Sequence, residues 1–397
     1  MFNKILKFKK HFFWSLLNQM TIIITTILAS VFYVNLSGKD MYGEYIYVLS
    51  VYTLLFVIAI SGVREIILKA VAQNKEKTYI DATVYSLKYS IIGSFLMLLL
   101  GLWFFGSNRS IGINLMCGFI IFPMYSTGQN WMFWLRGKNQ LKILTILNAV
   151  KLIVQLFILY YCLTIKLFNG WTICLFFLWE GIYNVFLTYY YSTKVSNGLI
   201  DDTWKKQSMV LSMMDLSVQV FGKADVIIMG IYHSNAVIAV YSIVMKAAEA
   251  FFQMISSIIT AIIPEFYKKE KYGLQNFYPY FIVLFIVPIL ICIFIQYPVK
   301  FLYGDEMLGA IPYIKMYSFV IPMYFLTRIS NYYLIKMNLN REILVNKIIA
   351  ITVVFVLYIA LIPKYSILGG VIASYFYFIV QFFMNYYSTR NASSLSK

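Results

Sequence analysis

Acidic residues are scarce in this chain: 397 residues hold 16 Asp and Glu, against 33 Lys and Arg and 2 His. Charged residues reach only 12% of the sequence, where a soluble domain carries about 25%, while hydrophobic residues reach 61%. With a mean hydropathy of +0.75, that shortage of charge excludes a water-soluble domain and implies a polytopic membrane protein. A net charge of +17 would suggest nucleic acid in a soluble protein, but here the basic residues sit in short loops between apolar runs, which reads as membrane topology. Cysteine is also sparse. Cys117, Cys162, Cys174 and Cys292 fall inside apolar runs without metal-like spacing, so neither a disulfide framework nor a zinc site is expected. His11 and His233 stand at span boundaries with no ligand cluster beside them, and no metal is assigned. Walker A, dinucleotide, HExxH and GxSxG patterns are missing, which removes support for ATP-driven pumping by this chain alone and for ordinary hydrolase chemistry. No cofactor is expected. No connection between apolar runs exceeds about 18 residues, too little for a soluble catalytic domain. A cleavable signal is not evident: the basic stretch from Met1 to Lys10 leads into a span too long for a signal core, so the first helix is expected to remain.

What is present is hydrophobic length. Twelve apolar spans are expected, at 12–35, 43–63, 80–105, 110–135, 142–165, 170–193, 208–232, 236–263, 277–299, 308–335, 342–362 and 367–389. Placing the N-terminus in the cytoplasm puts twenty-one Lys and Arg in loops on that side and five on the other, a strong positive-inside bias that also leaves the C-terminus cytoplasmic. Tyr190-Tyr191-Ser192-Thr193 recurs 196 positions later as Tyr386-Tyr387-Ser388-Thr389, and Tyr42-Gly43-Glu44-Tyr45-Ile46 has a weaker echo at Ile238-Ala239-Val240-Tyr241-Ser242 with the same offset. The shared offset maps spans 1 to 6 onto spans 7 to 12 in one orientation. It predicts a parallel repeat of two six-helix bundles, 1–200 and 201–397, around a central cavity.

The charges within the spans mark the candidate site. On the eighth span Ser242, Lys246, Glu249, Gln253, Ser256 and Thr260 recur at steps of three and four, so they share one helix face about 27 Å long. The seventh span carries a similar stripe, Ser208, Ser212, Asp215, Gln219 and Gly222, with Lys223 and Asp225 close by. An ionised side chain at bilayer centre costs roughly 2.5–3.5 kcal/mol, so these groups face one another or water. Pairing of Lys246 with Glu249, and of Lys223 with Asp225, to lock a bundle is the competing account; the uncharged Ser, Gln and Thr on the same face favour a wetted cavity. Lys151, Glu180, Lys315 and Arg328 are further embedded charges, and the set as a whole is mildly cationic. Ser15, Asn18, Thr25 and Ala29 keep to one face of the first span, which fits either a cavity wall or small-residue packing. Tyr and Phe at the span ends read as an interfacial aromatic belt, with sugar stacking as the sharper alternative.

Several runs together carry a family resemblance. Asp225-Val226-Ile227-Ile228-Met229-Gly230, then Ala239-Val240-Tyr241-Ser242-Ile243-Val244-Met245-Lys246-Ala247-Ala248-Glu249, closing at Ile263-Pro264-Glu265-Phe266-Tyr267, resemble the polysaccharide-unit flippases of the O-antigen (Wzx) type. Tyr42-Gly43-Glu44-Tyr45, Gly62-Val63-Arg64-Glu65, Leu302-Tyr303-Gly304, and Leu361-Ile362-Pro363-Lys364-Tyr365 before Gly369-Gly370 extend it over essentially the whole chain. The resemblance implies an all-α, MATE-like bacterial inner-membrane protein that moves an undecaprenyl-diphosphate-linked oligosaccharide from the cytoplasmic to the periplasmic leaflet by alternating access. It also implies the polymerase and chain-length proteins of the same pathway as partners, and a proton or sodium gradient as a source of energy. By position, Lys246 and Glu249 become cavity residues with Asp215, Lys223 and Asp225 as companions. Arg64 becomes a candidate phosphate contact, or else a positive-inside anchor. Lysine stands here where related members carry more arginine, which favours point-charge attraction over a bidentate phosphate clamp. A cation-coupled multidrug exporter of the same superfamily is the alternative; a membrane-embedded polymerase is disfavoured because it needs a large outer loop.

Overall fold

In the computed structural model of the chain the described residues are 2–268, 284–337 and 339–395. They are helical throughout, with no strand among the described residues. Two compact units divide the chain, Met1–Gln219 and Val220–Lys397.

The first unit contains α1 (Phe2–Ser37), α2 (Lys39–Leu55), α3 (Val63–Ala72), α4 (Lys77–Phe105), α5 (Arg109–Gly128), α6 (Asn130–Gly137), α7 (Leu141–Thr164), α8 (Asn169–Ser192) and the first half of α9 (Trp204–Tyr232). Most are near-continuous apolar runs, and at about 1.5 Å per residue the 29 residues of α4 exceed a hydrocarbon core of about 30 Å. Two of the paths are broken, and the breaks matter. After Leu55 the chain tightens into a 3-10 turn, Phe56–Ala59, and Ile60 then adopts a left-handed φ of 57°. That is a costly conformation for a β-branched residue, and it redirects the chain through Ser61 and Gly62 into the short α3. In α5, Pro123 removes a helical donor, and the helix gives way to α6 at Gln129. A core of Ile60, Val63, Ile67, Tyr79, Trp131, Trp134, Leu144, Tyr191 and Trp204 fills the end of the unit where α3, α6 and the start of α9 meet.

The second unit holds the rest of α9, α10 (Asn235–Lys268), α11 (Ile286–Phe294), α12 (Gln296–Tyr303), α13 (Ile311–Ser318), α14 (Val320–Lys336), α15 (Asn340–Tyr365) and α16 (Ile367–Leu395). Interhelical amides tie its later helices together: Asn346 Nδ2 donates to Asn385 Oδ1 (3.0 Å), and Asn385 Nδ2 donates to Ser330 Oγ and Asn331 Oδ1 (both 2.9 Å). Polar side chains of this kind hold helices together where apolar burial gives no preference for protein over lipid.

Among the described residues, nine helices are long and apolar enough to cross a membrane, and ten if α11 and α12, bent by 45°, form one span. The two expected spans outside that set are α9 and the α13–α14 pair, which carry Asp215, Lys223, Asp225, Lys315 and Arg328. Together they give about twelve spanning segments, those the hydropathy predicts. Residues 277–283 of the ninth expected span, and the side chain of Thr260, lie outside the described residues. Trp103, Phe157, Phe186, Val356 and Phe383 are each more than half exposed. Apolar outer surface on this scale suits lipid and makes the chain a multi-pass membrane protein.

Candidate functional site

The break after α2 creates the best-defined polar site. Gly62 N donates to Ser212 Oγ (2.9 Å), and Ser212 Oγ donates in turn to the Ser208 carbonyl (2.8 Å). A Cβ on Gly62 would collide with the Ser208 carbonyl and the Ser212 nitrogen, so glycine alone allows the turn to approach α9 this closely. The first two members of the α9 stripe, Ser208 and Ser212, are therefore consumed in packing. One turn further on, Asp215 Oδ2 accepts a hydrogen bond from Ser61 Oγ (2.7 Å), and Asp215 and Gln219 line a cavity of about 240 Å³.

Arg64 is the cavity's cation. Placed one residue into α3 by the break, its guanidinium lies over the Phe56 ring at 3.9 Å, a stacking geometry that suits the planar, weakly hydrated group. Nη2 donates to Gln129 Oε1 (2.9 Å) and to the Ser126 carbonyl (3.3 Å), both at the α5–α6 break. Nε is buried and has no hydrogen-bond partner among the described residues. Glu65, Tyr125, Phe133 and Thr53 complete the lining with Phe56, Ser61 and Gln129. Two helix breaks and one helix face thus converge on a polar pocket whose described lining holds one guanidinium, two carboxylates and two amides.

Of the residues picked out from the sequence, Arg64, Asp215 and Gln219 meet in this cavity. Lys151 and Glu180 instead meet each other: Lys151 Nζ lies 3.1 Å from Glu180 Oε1, with 4% and 13% of the two side chains exposed. Gln155 Nε2 donates to the other carboxylate oxygen (3.2 Å), and the Trp179 indole donates to the Lys151 carbonyl (3.2 Å). The group is a closed cross-link between α7 and α8. Asn18 Oδ1 accepts from Asn148 Nδ2 (3.0 Å) and ties α1 to α7.

The remaining candidates belong to the second unit. Asp225 is buried and accepts from Tyr241 Oη (2.5 Å) and from Val226 N (2.7 Å), joining α9 to α10. Lys223 and Lys246 are half-buried, while Glu249 and Gln253 are exposed on α10. Lys315 is half-buried on α13. Arg328 is exposed; its Nε donates to Tyr324 Oη (3.0 Å), and its guanidinium sits 5.3 Å from that ring. Sequence reasoning missed Ser61, Tyr125, Gln129, Phe56 and Phe133. Gly128-Gln129-Asn130, a polar interruption downstream of Pro123 in an apolar span, was the readable signal for Gln129.

No family model matches the chain, and no curated protein matches it. Solved structures do. The lipid II flippase MurJ in an inward closed conformation matches at a TM-score of 0.68 with 12% identity, covering 96% of this chain and 87% of that one. An inward-facing MATE-family multidrug resistance transporter of the MOP superfamily matches at 0.68 with 12% identity, covering 94% and 96%. The eukaryotic MATE transporter AtDTX14 matches at 0.52 with 12% identity, covering 95% and 96%. The chain has the fold of these proteins along essentially its whole length.

Proposed function

We propose that this protein is a flippase that carries an undecaprenyl-diphosphate-linked oligosaccharide from the cytoplasmic to the periplasmic leaflet of a bacterial inner membrane, by alternating access, for O-antigen, capsule or exopolysaccharide assembly. The carrying observation is the cavity in which Arg64, Asp215, Gln129 and Gln219 gather inside a membrane-embedded unit. Such a polar group is costly in hydrocarbon and is kept where a hydrophilic cargo must cross. The fold agrees, being shared with a lipid II flippase. In the second unit Lys246, Glu249 and Gln253, with Lys223, offer further polar contacts to the cargo, the lysines as point charges for a diphosphate. Arg328 and Lys315 add positive charge. Asp215, Asp225 and Glu249 are the carboxylates through which a proton or sodium gradient would act. The protein would work beside the polymerase and chain-length proteins of the pathway, and is itself a carrier, not an enzyme.

A cation-coupled multidrug exporter is the second reading, because the fold is equally that of MATE transporters. The two separate on reconstitution. In proteoliposomes, the flippase reading requires protein-dependent transfer of a lipid-linked glycan between leaflets and no drug resistance on overexpression; resistance without lipid transfer reverses the assignment.

A further inference from the structure

We infer that the Arg64 cavity receives a sugar ring of the cargo, neutral or N-acylated, and not its diphosphate. The inference rests on the flippase reading and assigns this pocket to one part of the substrate. A phosphate group is best held by a guanidinium fork, two parallel N–H groups presented together. Arginine has two such forks, Nε with Nη2 and Nη1 with Nη2, and both require Nη2. In this protein Nη2 is taken, since it donates to Gln129 Oε1 and to the Ser126 carbonyl. With Nη2 occupied neither fork is open to a phosphate, and Nε, buried in the protein, is not presented to the cavity. The guanidinium can therefore offer the cargo single hydrogen bonds, of the kind that meet individual hydroxyl or carbonyl oxygens.

Charge points the same way. Among the described residues of the lining, Arg64 is the one cation and Glu65 and Asp215 are the two carboxylates, so a diphosphate would enter a lining with net negative charge. Hydroxyl groups would instead donate to those carboxylates and to Gln219. Asp215 is already oriented by Ser61 at 2.7 Å and keeps accepting capacity to spare. The pocket, at about 240 Å³, is larger than the roughly 150 Å³ engineered cavity that holds a bare benzene ring, which leaves room for a ring bearing exocyclic groups. Uronic acids, carrying a carboxylate of their own, are disfavoured by the same charge balance.

The test uses the full chain in lipid nanodiscs and two probes: undecaprenyl diphosphate, and undecaprenyl diphosphate bearing one N-acetylhexosamine. Wild-type protein should bind the glycosylated probe at least about tenfold more tightly. Asp215→Asn, which keeps an acceptor for Ser61, should bring the two affinities together while leaving that for the bare lipid unchanged. An equal loss for both probes, or tighter binding of the bare lipid once the negative charge is removed, would assign the pocket to the diphosphate and overturn the inference. Binding of neither probe by well-folded wild type, checked by its melting transition, would instead overturn the flippase reading on which it stands.

Discussion

Two glycines, Gly62 packed against α9 and Gly222 within it, should respond oppositely to the same change. Gly62 touches the backbone of Ser208 and Ser212, whereas a Cβ at Gly222 meets nothing within 4 Å among the described residues. Gly62→Ala should destabilise the protein by about 1–3 kcal/mol through overpacking. Gly222→Ala, within α9, should be neutral or stabilising by up to about 1 kcal/mol. Melting curves of the two variants in detergent check both signs. The Lys151–Glu180 pair allows a second comparison. Removing one partner leaves a buried charge, so Lys151→Ala should cost about 3–5 kcal/mol, and replacing both with Met and Leu should recover most of it. Recovery of stability together with cargo transfer would identify the pair as a cross-link; recovery of stability alone would give it a part in transport. At this scale the sequence showed that Lys151, Glu180 and Asp215 were embedded charges. Their partners were hidden, because Ser61 lies 154 positions from Asp215, and no local pattern connects them.

Between elements, the segment joining α8 to α9 is pinned to the first unit outside the membrane-spanning helices. Glu76 accepts from the Ser196 nitrogen and hydroxyl (both 2.9 Å) and pairs with Lys138. Asp201 lies 3.8 Å from Lys69 and 3.7 Å from Lys75. Burial of the Glu76 carboxyl acts to raise its pKa, but hydrogen bonds from Lys138 and Ser196 outweigh it and hold the group below its ordinary 4.5. The Thr203 hydroxyl, followed by the Thr203 nitrogen and the two lysines, likewise holds Asp201 below 3.8 against a smaller effect of burial. With both folded-state values depressed, the attachment is at full strength above the unfolded values and is lost as pH falls through the folded ones. Amide protection over residues 195–203, taken relative to the intrinsic exchange rate at each pH, should therefore be high at neutral pH and fall below about pH 4. Protection that stays constant across that range would show that the carboxylates do not hold the segment. The break at Ile60 is likewise a property of the element and its surroundings. Hydropathy runs on to residue 63 without a signal, yet α2 ends at Leu55, because Ser61 and Gly62 find their partners on α9.

For the whole molecule, the decisive measurement is where cargo accumulates. Deleting the gene in its host should leave lipid-linked glycan in the cytoplasmic leaflet. Wild-type protein should restore surface polysaccharide, and Lys246→Ala, inserted at normal levels, should reduce it at least tenfold. Normal polysaccharide from that variant would take Lys246 out of the transport path.

The amino-acid order by itself determined the membrane class, the all-helical architecture and the approximate positions of about twelve segments. Each of those follows from local hydropathy and helix periodicity, which a run of some twenty residues expresses without help from the rest of the chain. Tertiary structure alone decided what each embedded polar group is for. Ser208 and Ser212 share a helix face with Asp215, yet the serines close against Gly62 and the carboxylate opens onto a cavity. Lys151, isolated in sequence, is neutralised by Glu180, while Arg64, beside Glu65 in sequence, keeps a donor unpaired among the described residues. Those outcomes depend on which distant segment arrives opposite each side chain, and that is settled only when the helices pack.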